Sequence, residues 1–373
     1  MEKYATLPVV AGRLPEAIRD FLSRLLQSRL VEALFVLLPL PAENSVAPAI
    51  VSRAELLQIA SPLAPVMPVN SAKLVSAITR LASSPQKLGV VLRPCELRAL
   101  IELVKLKQAS LTNLLLIGVD CPGTYSMSDY GKFAQEAASP AEEFLHKFQG
   151  GREDPLLRKA CQVCEYPVPM NSDLTIGLIG VDFNQNVLIG SNTEAGEKVI
   201  KELQLPMTEV RDRETAIAKL VSRRTEKRKQ FFQEIQTKVR GLDNLRATFA
   251  RCVNCHNCKI ACPLCYCQEC FFDSSVFEFE AQKYLNWAQR RGALRMPTDT
   301  LLFHLTRLNH MATSCVGCGM CTEACPNNVP VFNLFRLVGD QLQKTFGYLP
   351  GRSLEDELPL ATFKEEELTE VGI

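Results

Sequence analysis

At 373 residues the chain is long enough for two or three domains, at least one with a well-buried core. Its 42 Lys and Arg against 41 Asp and Glu leave a net charge of +1, which argues against a nucleic-acid footprint or a polybasic membrane patch. With no basic-then-apolar leader and no run of eighteen apolar residues, the sequence predicts a cytoplasmic chain without a membrane span, and in a reducing compartment clusters among its 15 cysteines point to metal rather than disulfides.

In chain order, EALFVLLPL (32–40), LGVVLRP (88–94) and NLLLIGVD (113–120) are short apolar runs of the kind found in buried parallel strands. Around them RLPEAIRDFLSRLLQS, RAELLQIA, SAKLVSAITRLAS and PCELRALIELVKLKQ carry apolar residues at helical spacing, the last with Pro at its start. This alternation predicts an α/β layer fold. A polar stretch (122–160) reads as loop-rich, LTIGLIGVD (174–182) and QNVLIGSN (185–192) as strands, and AGEKVIKELQL as a helix. Residues 213–242 form one long charged helix whose mixed charges mark a solvated face, a natural connector to the cysteine-rich region. Beyond Arg251 two cysteine groups flank a helical insert (FEFEAQKYLNWAQRR and TDTLLFHLTRLNHMA), the helix VFNLFRLVGDQLQKTF comes next, and an acidic tail closes the chain. The expected organisation is an α/β domain over 1–212, a connecting helix over 213–245, a helical cysteine-rich domain over 246–345 and a tail over 346–373.

The spacing Cys252-x-x-Cys255-x-x-Cys258-x-x-x-Cys262-Pro263 recurs as Cys315-x-x-Cys318-x-x-Cys321-x-x-x-Cys325-Pro326. Two such runs hold 4Fe-4S clusters in two-cluster ferredoxins, where the fourth cysteine of each run crosses to the other cluster. The expected ligand sets are Cys252, Cys255, Cys258 and Cys325, and Cys315, Cys318, Cys321 and Cys262. Zinc also takes Cys-x-x-Cys pairs, but two four-cysteine runs ending in Cys-Pro favour the iron-sulfur reading over it. Haem attachment at Cys252-x-x-Cys255-His256 leaves the remaining cysteines unexplained. Cys265, Cys267 and Cys270 are open between a further cluster, zinc and free thiols. Upstream, Cys95 and Cys121 follow strand ends, where parallel sheets place ligand sites, and with Cys161 and Cys164 they make a set of four. A third 4Fe-4S cluster is the favoured reading, with zinc or structural thiols as alternatives. His304 and His310, six apart, read as core or cap histidines, or as groups that tune a neighbouring cluster.

The segments RPCELRALIEL, IGVDC, CQVCEYPVPMNSDLTIGLIGVD, GSNTEAGEKVI, CVNCHNCKIACPLCYCQEC and FHLTRLNHMATSCVGCGMCTEACP resemble the beta subunits of deazaflavin-coenzyme-dependent hydrogenase and formate dehydrogenase, the last two segments most of all the formate dehydrogenase branch. The resemblance implies a flavoprotein α/β domain with a mostly parallel sheet and its own 4Fe-4S cluster, followed by a helical dicluster ferredoxin-like domain. By position Cys95, Cys121, Cys161 and Cys164 correspond to the family's domain-cluster ligands. Ser191, Asn192, Thr193 and Gly196 correspond to its flavin-contacting strand-to-helix turn, where backbone N–H groups at a helix start meet a phosphate. Where the family opens its first helix with a paired-glycine turn, this chain has VVAGRLPEAI with Gly12 alone.

The expectation is an electron-transfer subunit of an anaerobic oxidoreductase complex. Its FAD would exchange two electrons and its clusters would carry them singly. A formate dehydrogenase or hydrogenase-type catalytic subunit is the expected partner, and a heterodisulfide-reductase-like complex a plausible acceptor. The rivals are a flavin-less iron-sulfur wire and docking scaffold, which the Gly12 turn favours, and a self-sufficient deazaflavin-coenzyme reductase. A nicotinamide acceptor is disfavoured because no G-x-G-x-x-G follows a predicted strand.

Overall fold

The computed structural model describes residues 3–42, 44–149, 154–210, 212–277, 280–292 and 299–362. Two compact units emerge: the residues up to Gln230 with Val316–Gly319 and Pro350–Asp356, and the residues Phe231–Cys315 and Met320–Leu349 with the segment from Glu357. Among the described residues no helix is long and apolar enough to cross a membrane.

The first unit is an α/β fold on an eight-stranded sheet of order β3-β2-β4-β5-β6-β7-β1-β8. Its strands are β1 (Lys3–Pro8), β2 (Ala33–Pro39), β3 (Val46–Val51), β4 (Leu88–Leu92), β5 (Leu114–Val119), β6 (Leu174–Gly177), β7 (Asn186–Ser191) and β8 (Met207–Glu209). The centre, β2-β4-β5-β6, is parallel, because its strands are joined by long crossovers. Both flanks are antiparallel: short links fold β3 back on β2 and β7 back on β6, while β1 pairs with β7 and β8. The sheet is therefore mixed, with its parallel part where the ligand-bearing loops leave it.

Helix Leu14–Gln27 buries Leu14, Ile18, Phe21, Leu22 and Leu25, an i, i+4, i+7, i+8, i+11 stripe, in the same core as Ile117, Ile176 and Ile189 of the sheet. Each such side chain contributes about 1.5–3 kcal/mol of transfer free energy. The stretch 122–160, expected as loop, instead holds helices Met127–Glu136 and Pro140–Gln149, opened at Ser126 by a side chain that caps the Asp129 N–H. Burial of Tyr130, Phe144 and Leu145, spaced among polar residues, drives that local order. The long charged helix runs Arg213–Val239 and stops at Gly241, whose φ of +87° starts a second helix, Leu242–Phe249. RAELLQIA keeps only the turn Ala54–Leu57.

Within this unit Pro350–Asp356 docks on helix Pro94–Lys105. Arg98, 1% exposed, donates from Nε to the Pro350 carbonyl at 2.8 Å and from Nη1 to the Val316 carbonyl at 3.3 Å, and its guanidinium lies 4.0 Å from the Tyr166 ring centre. Gly351 N–H donates to Glu102 at 2.8 Å, and a Cβ at Gly351 would overlap the Arg98 backbone. The second unit is helical among its described residues, with Asn257–Ala261, Ala281–Arg291, Thr300–Met311, Met320–Glu323 and Val331–Thr345. Of the expected tail, residues 363–373 lie outside the described residues.

Candidate metal centres

In the first unit β4 ends at Leu92 and helix Pro94–Lys105 begins at once, which sets Cys95 in its first turn. β5 ends at Val119, and Asp120 and Cys121 follow. The Asp120 carboxylate accepts from the Leu178 and Ile179 N–H groups at 2.8 and 2.9 Å and pairs with Arg213 at 2.6 and 3.0 Å. That bracing holds the strand end from which Cys121 projects. Cys161 lies on the short helix Lys159–Gln162 and Cys164 just after it.

All four thiols line one cavity at the carboxyl end of the parallel strands, together with Cys318, Arg93, Arg158 and Arg224. Burial drives the Cys95 thiol well up, and Cys121 up to about 12 despite the Arg93 guanidinium. Cys161 goes the other way. Burial raises it, but the Arg158 guanidinium and hydrogen bonding from Thr124 outweigh burial and lower it. Thr124 Oγ1 lies 3.3 Å from Cys161 Sγ, and Arg158 Nε donates to that Oγ1 at 2.8 Å. Arg224, on the long helix, donates to the Pro122 carbonyl beside Cys121.

In the second unit Cys252, Cys255, Cys258 and Cys325 line a second cavity. These are three cysteines of the first run and the last of the second, the set that ligand crossing groups. Left-handed Asn254 and His256, at φ of 51° and 58°, turn the loop so tightly that three thiols face one space. Val329 N–H donates to Cys325 Sγ at 3.3 Å. Burial raises the Cys252 thiol and takes Cys258 to about 11, against the pull of Arg307.

The half-buried Cys262 thiol is raised by desolvation and also feels the charge of Cys315. Cys318, grouped with these two by spacing, lines the cavity of the first unit, which no local pattern signals. Cys265 is raised by burial and meets Arg307, Cys267 is exposed, and Cys270 is half-buried. His304 is no ordinary core histidine: its Nε2 lies 3.3 Å from Cys252 Sγ, and burial takes its pKa down to about 3. His310, by contrast, is exposed.

Among the described residues no group of three or more His, Cys, Asp or Glu converges on a single metal-ion position. Both cavities instead offer thiols set round a space, an all-sulfur donor set of the kind that iron-sulfur clusters take, with arginines to offset thiolate charge. The residues fit 4Fe-4S clusters.

The turn Ser191–Gly196 does not fit a flavin phosphate in the same way. Thr193 caps helix Glu194–Glu202 by accepting from Gly196 N–H and donates to Asp173 at 2.6 Å. The Asn192 amide donates to the Ser172 carbonyl and to Thr175. Two glutamates, Glu194 and Glu197, occupy the first turn, where a phosphate would meet like charge. Gly196 is required by packing, since a Cβ there would overlap the Asp173 carbonyl.

Comparison with known proteins gives these sites a context. A family model described as a 4Fe-4S dicluster domain matches residues 249–329. The F420-dependent formate dehydrogenase subunit beta of Methanocaldococcus jannaschii is 26% identical over 326 residues, 78% of this chain and 79% of that protein. The F420-dependent formate dehydrogenase 1 subunit beta of Methanococcus maripaludis is 25% identical, covering 74% of this chain and 75% of its own length. Over about three quarters of its length the chain is similar to these formate dehydrogenase beta subunits. To the beta subunit of sulfhydrogenase 2 from Pyrococcus furiosus the chain is 33% identical over 98 residues, 21% of this chain and 28% of that one. Among solved structures, the F420-reducing NiFe hydrogenase complex from Methanosarcina barkeri matches with 12% identity and a TM-score of 0.46, over 65% of this chain and 94% of that chain.

Proposed function

We propose that this chain is an electron-transfer subunit of an oxidoreductase complex, relaying electrons between a formate dehydrogenase-type catalytic subunit and an acceptor in the cytoplasm of an anaerobe. The reading is carried by one observation, the gathering of Cys252, Cys255, Cys258 and Cys325 round a single cavity inside the span of a dicluster domain. The beta-subunit relatives support the oxidoreductase assignment and the kind of partner.

In this reading Cys252, Cys255, Cys258 and Cys325 hold one cluster, Cys315, Cys318, Cys321 and Cys262 a second, and Cys95, Cys121, Cys161 and Cys164 a third. Bound 4Fe-4S clusters supply one-electron chemistry over a wide range of potentials. Everything else falls to the chain. Its thiolates fix where electrons rest, and Arg93, Arg158 and Arg224 offset the negative charge that four thiolates concentrate in one cavity. Cys318 lines the cavity that also holds Cys95 and Cys121, so a ligand of the second ferredoxin-type set stands beside the ligands of the third. No step is assigned to flavin, because the residues that resemblance offers for it are engaged in capping a helix. A heterodisulfide-reductase-like complex is the acceptor we favour.

The test is a count. Anaerobically purified protein is expected to carry about twelve iron atoms with matching sulfide, four per cluster, and no stoichiometric flavin. A tagged chain is expected to bring down a formate-oxidising subunit from its host. Zinc in place of iron would sink the proposal, and one flavin per chain would restore the flavoprotein form of it.

A further inference from the structure

Helix Thr300–Met311 lies in the sequence between the two cysteine runs and contributes no cysteine, yet one of its faces is turned to their sulfur atoms. His304 and Arg307, three residues apart and so on one side of the helix, are 1% and 3% exposed. His304 Nε2 is 3.3 Å from Cys252 Sγ. Arg307 donates from Nη1 to Cys258 Sγ at 3.2 Å and from Nη2 to the Cys258 carbonyl at 3.1 Å. The imidazole is clamped, with the Phe249 ring stacked 4.1 Å away at 17° and the Phe303 ring edge-on at 5.0 Å.

The tautomer is set by the surroundings. Among the described residues Nδ1 of His304 is buried without a hydrogen-bond partner. A proton on Nδ1 would leave a buried donor unpaired and aim the Nε2 lone pair at a thiolate. With the proton on Nε2 an N–H···S bond forms, and only an acceptor stays unpaired.

We propose that His304 and Arg307 are positioning residues that raise the reduction potential of the cluster held by Cys252, Cys255, Cys258 and Cys325, by donating N–H bonds to the sulfur of Cys252 and Cys258. The inference rests on reading that cavity as a cluster site. Adding one electron to a bound cluster increases its negative charge by one, and much of that charge falls on sulfur. A donor or guanidinium aimed at the sulfur therefore favours the reduced form, and removing it favours the oxidised form. Two donors on one helix face bias this cluster upward as a stopping point for electrons.

The test is a dithionite titration of the full chain followed by electron paramagnetic resonance, in the wild type and in His304→Phe, His304→Gln and Arg307→Met. Cys255→Ser, which alters one ligand of this cavity, marks which signal belongs to it. His304→Phe keeps a ring on Phe249 but removes the donor. A tenfold weakening of the reduction equilibrium is expected, equal to a potential lowered by about 59 mV for one electron. His304→Gln, which keeps an N–H, is expected to return most of the shift, and Arg307→Met to lower the potential as well. A His304→Phe protein with full iron and an unshifted signal overturns the proposal, as do equal shifts in His304→Phe and His304→Gln. If His304→Phe loses its iron, Arg307→Met decides: an unshifted potential there overturns the proposal too. Wild-type protein without iron would instead defeat the cluster reading beneath it.

Discussion

Replacing Asp120 by Ala should destabilise the first unit strongly and loosen Cys121 with it. Asp120, 2% exposed, accepts four N–H groups: two from the Leu178 and Ile179 backbone and two from Arg213, itself 4% exposed. Bonded to this carboxylate, Arg213 is held protonated above the ordinary guanidinium value in spite of burial. Ala at 120 leaves a buried guanidinium without its counter-charge, and breaking such a pair costs about 3–5 kcal/mol. At ~2–4 °C per kcal/mol for a unit of this size, the melting temperature should fall by roughly 6–20 °C. The assay is a far-ultraviolet circular dichroism melt under nitrogen, with iron counted on the same samples. Asp120→Asn, which keeps an acceptor but not the charge, should fall in between. Asp120→Leu with Arg213→Met, which removes both charges but leaves the Leu178 and Ile179 N–H groups without their acceptor, should recover only part of the loss. A drop below about 2 °C for Asp120→Ala would refute the argument that this ion pair braces the strand end.

In metal-free protein Cys161 should react with iodoacetamide at neutral pH ahead of Cys95 and Cys121, since Arg158 and Thr124 lower it while burial raises the other two. Its rate should climb with pH until the lowered pKa is passed and then level off, and Arg158→Met should move that rise to higher pH; peptide mapping by mass spectrometry checks both. Gly351→Ala should free Pro350–Asp356 from helix Pro94–Lys105, because φ of +72° and contact with the Arg98 backbone leave no room for a Cβ; faster amide exchange across 350–356 is the readout. Thr193→Ala should cost about 0.5–2 kcal/mol through loss of the cap, seen as a lower melting temperature, while iron content stays as in the wild type.

Local chemistry in the sequence determined much of this protein. Apolar runs bounded by turn residues marked β2, β4, β5, β6 and β7, and the doubled four-cysteine spacing marked a 4Fe-4S dicluster domain, because strand burial and thiolate convergence both act within a few residues. The tertiary structure decided the rest. Strand β1 lies far in sequence from β7 and β8, and its antiparallel pairing with them depends on distant apolar faces closing on each other, which no local period encodes. The arrival of Cys318 beside Cys95 and Cys121, and of His304 beside Cys252, likewise joins residues far apart in the sequence. The glycine-containing turn after Ser191, legible as a phosphate site, is a cap and a close approach, because only the folded chain shows that Asp173, Ser172 and Thr175 already occupy its polar groups. Spacing along the chain says which atoms can share a ligand, but burial across the fold says which of them are still free to do so.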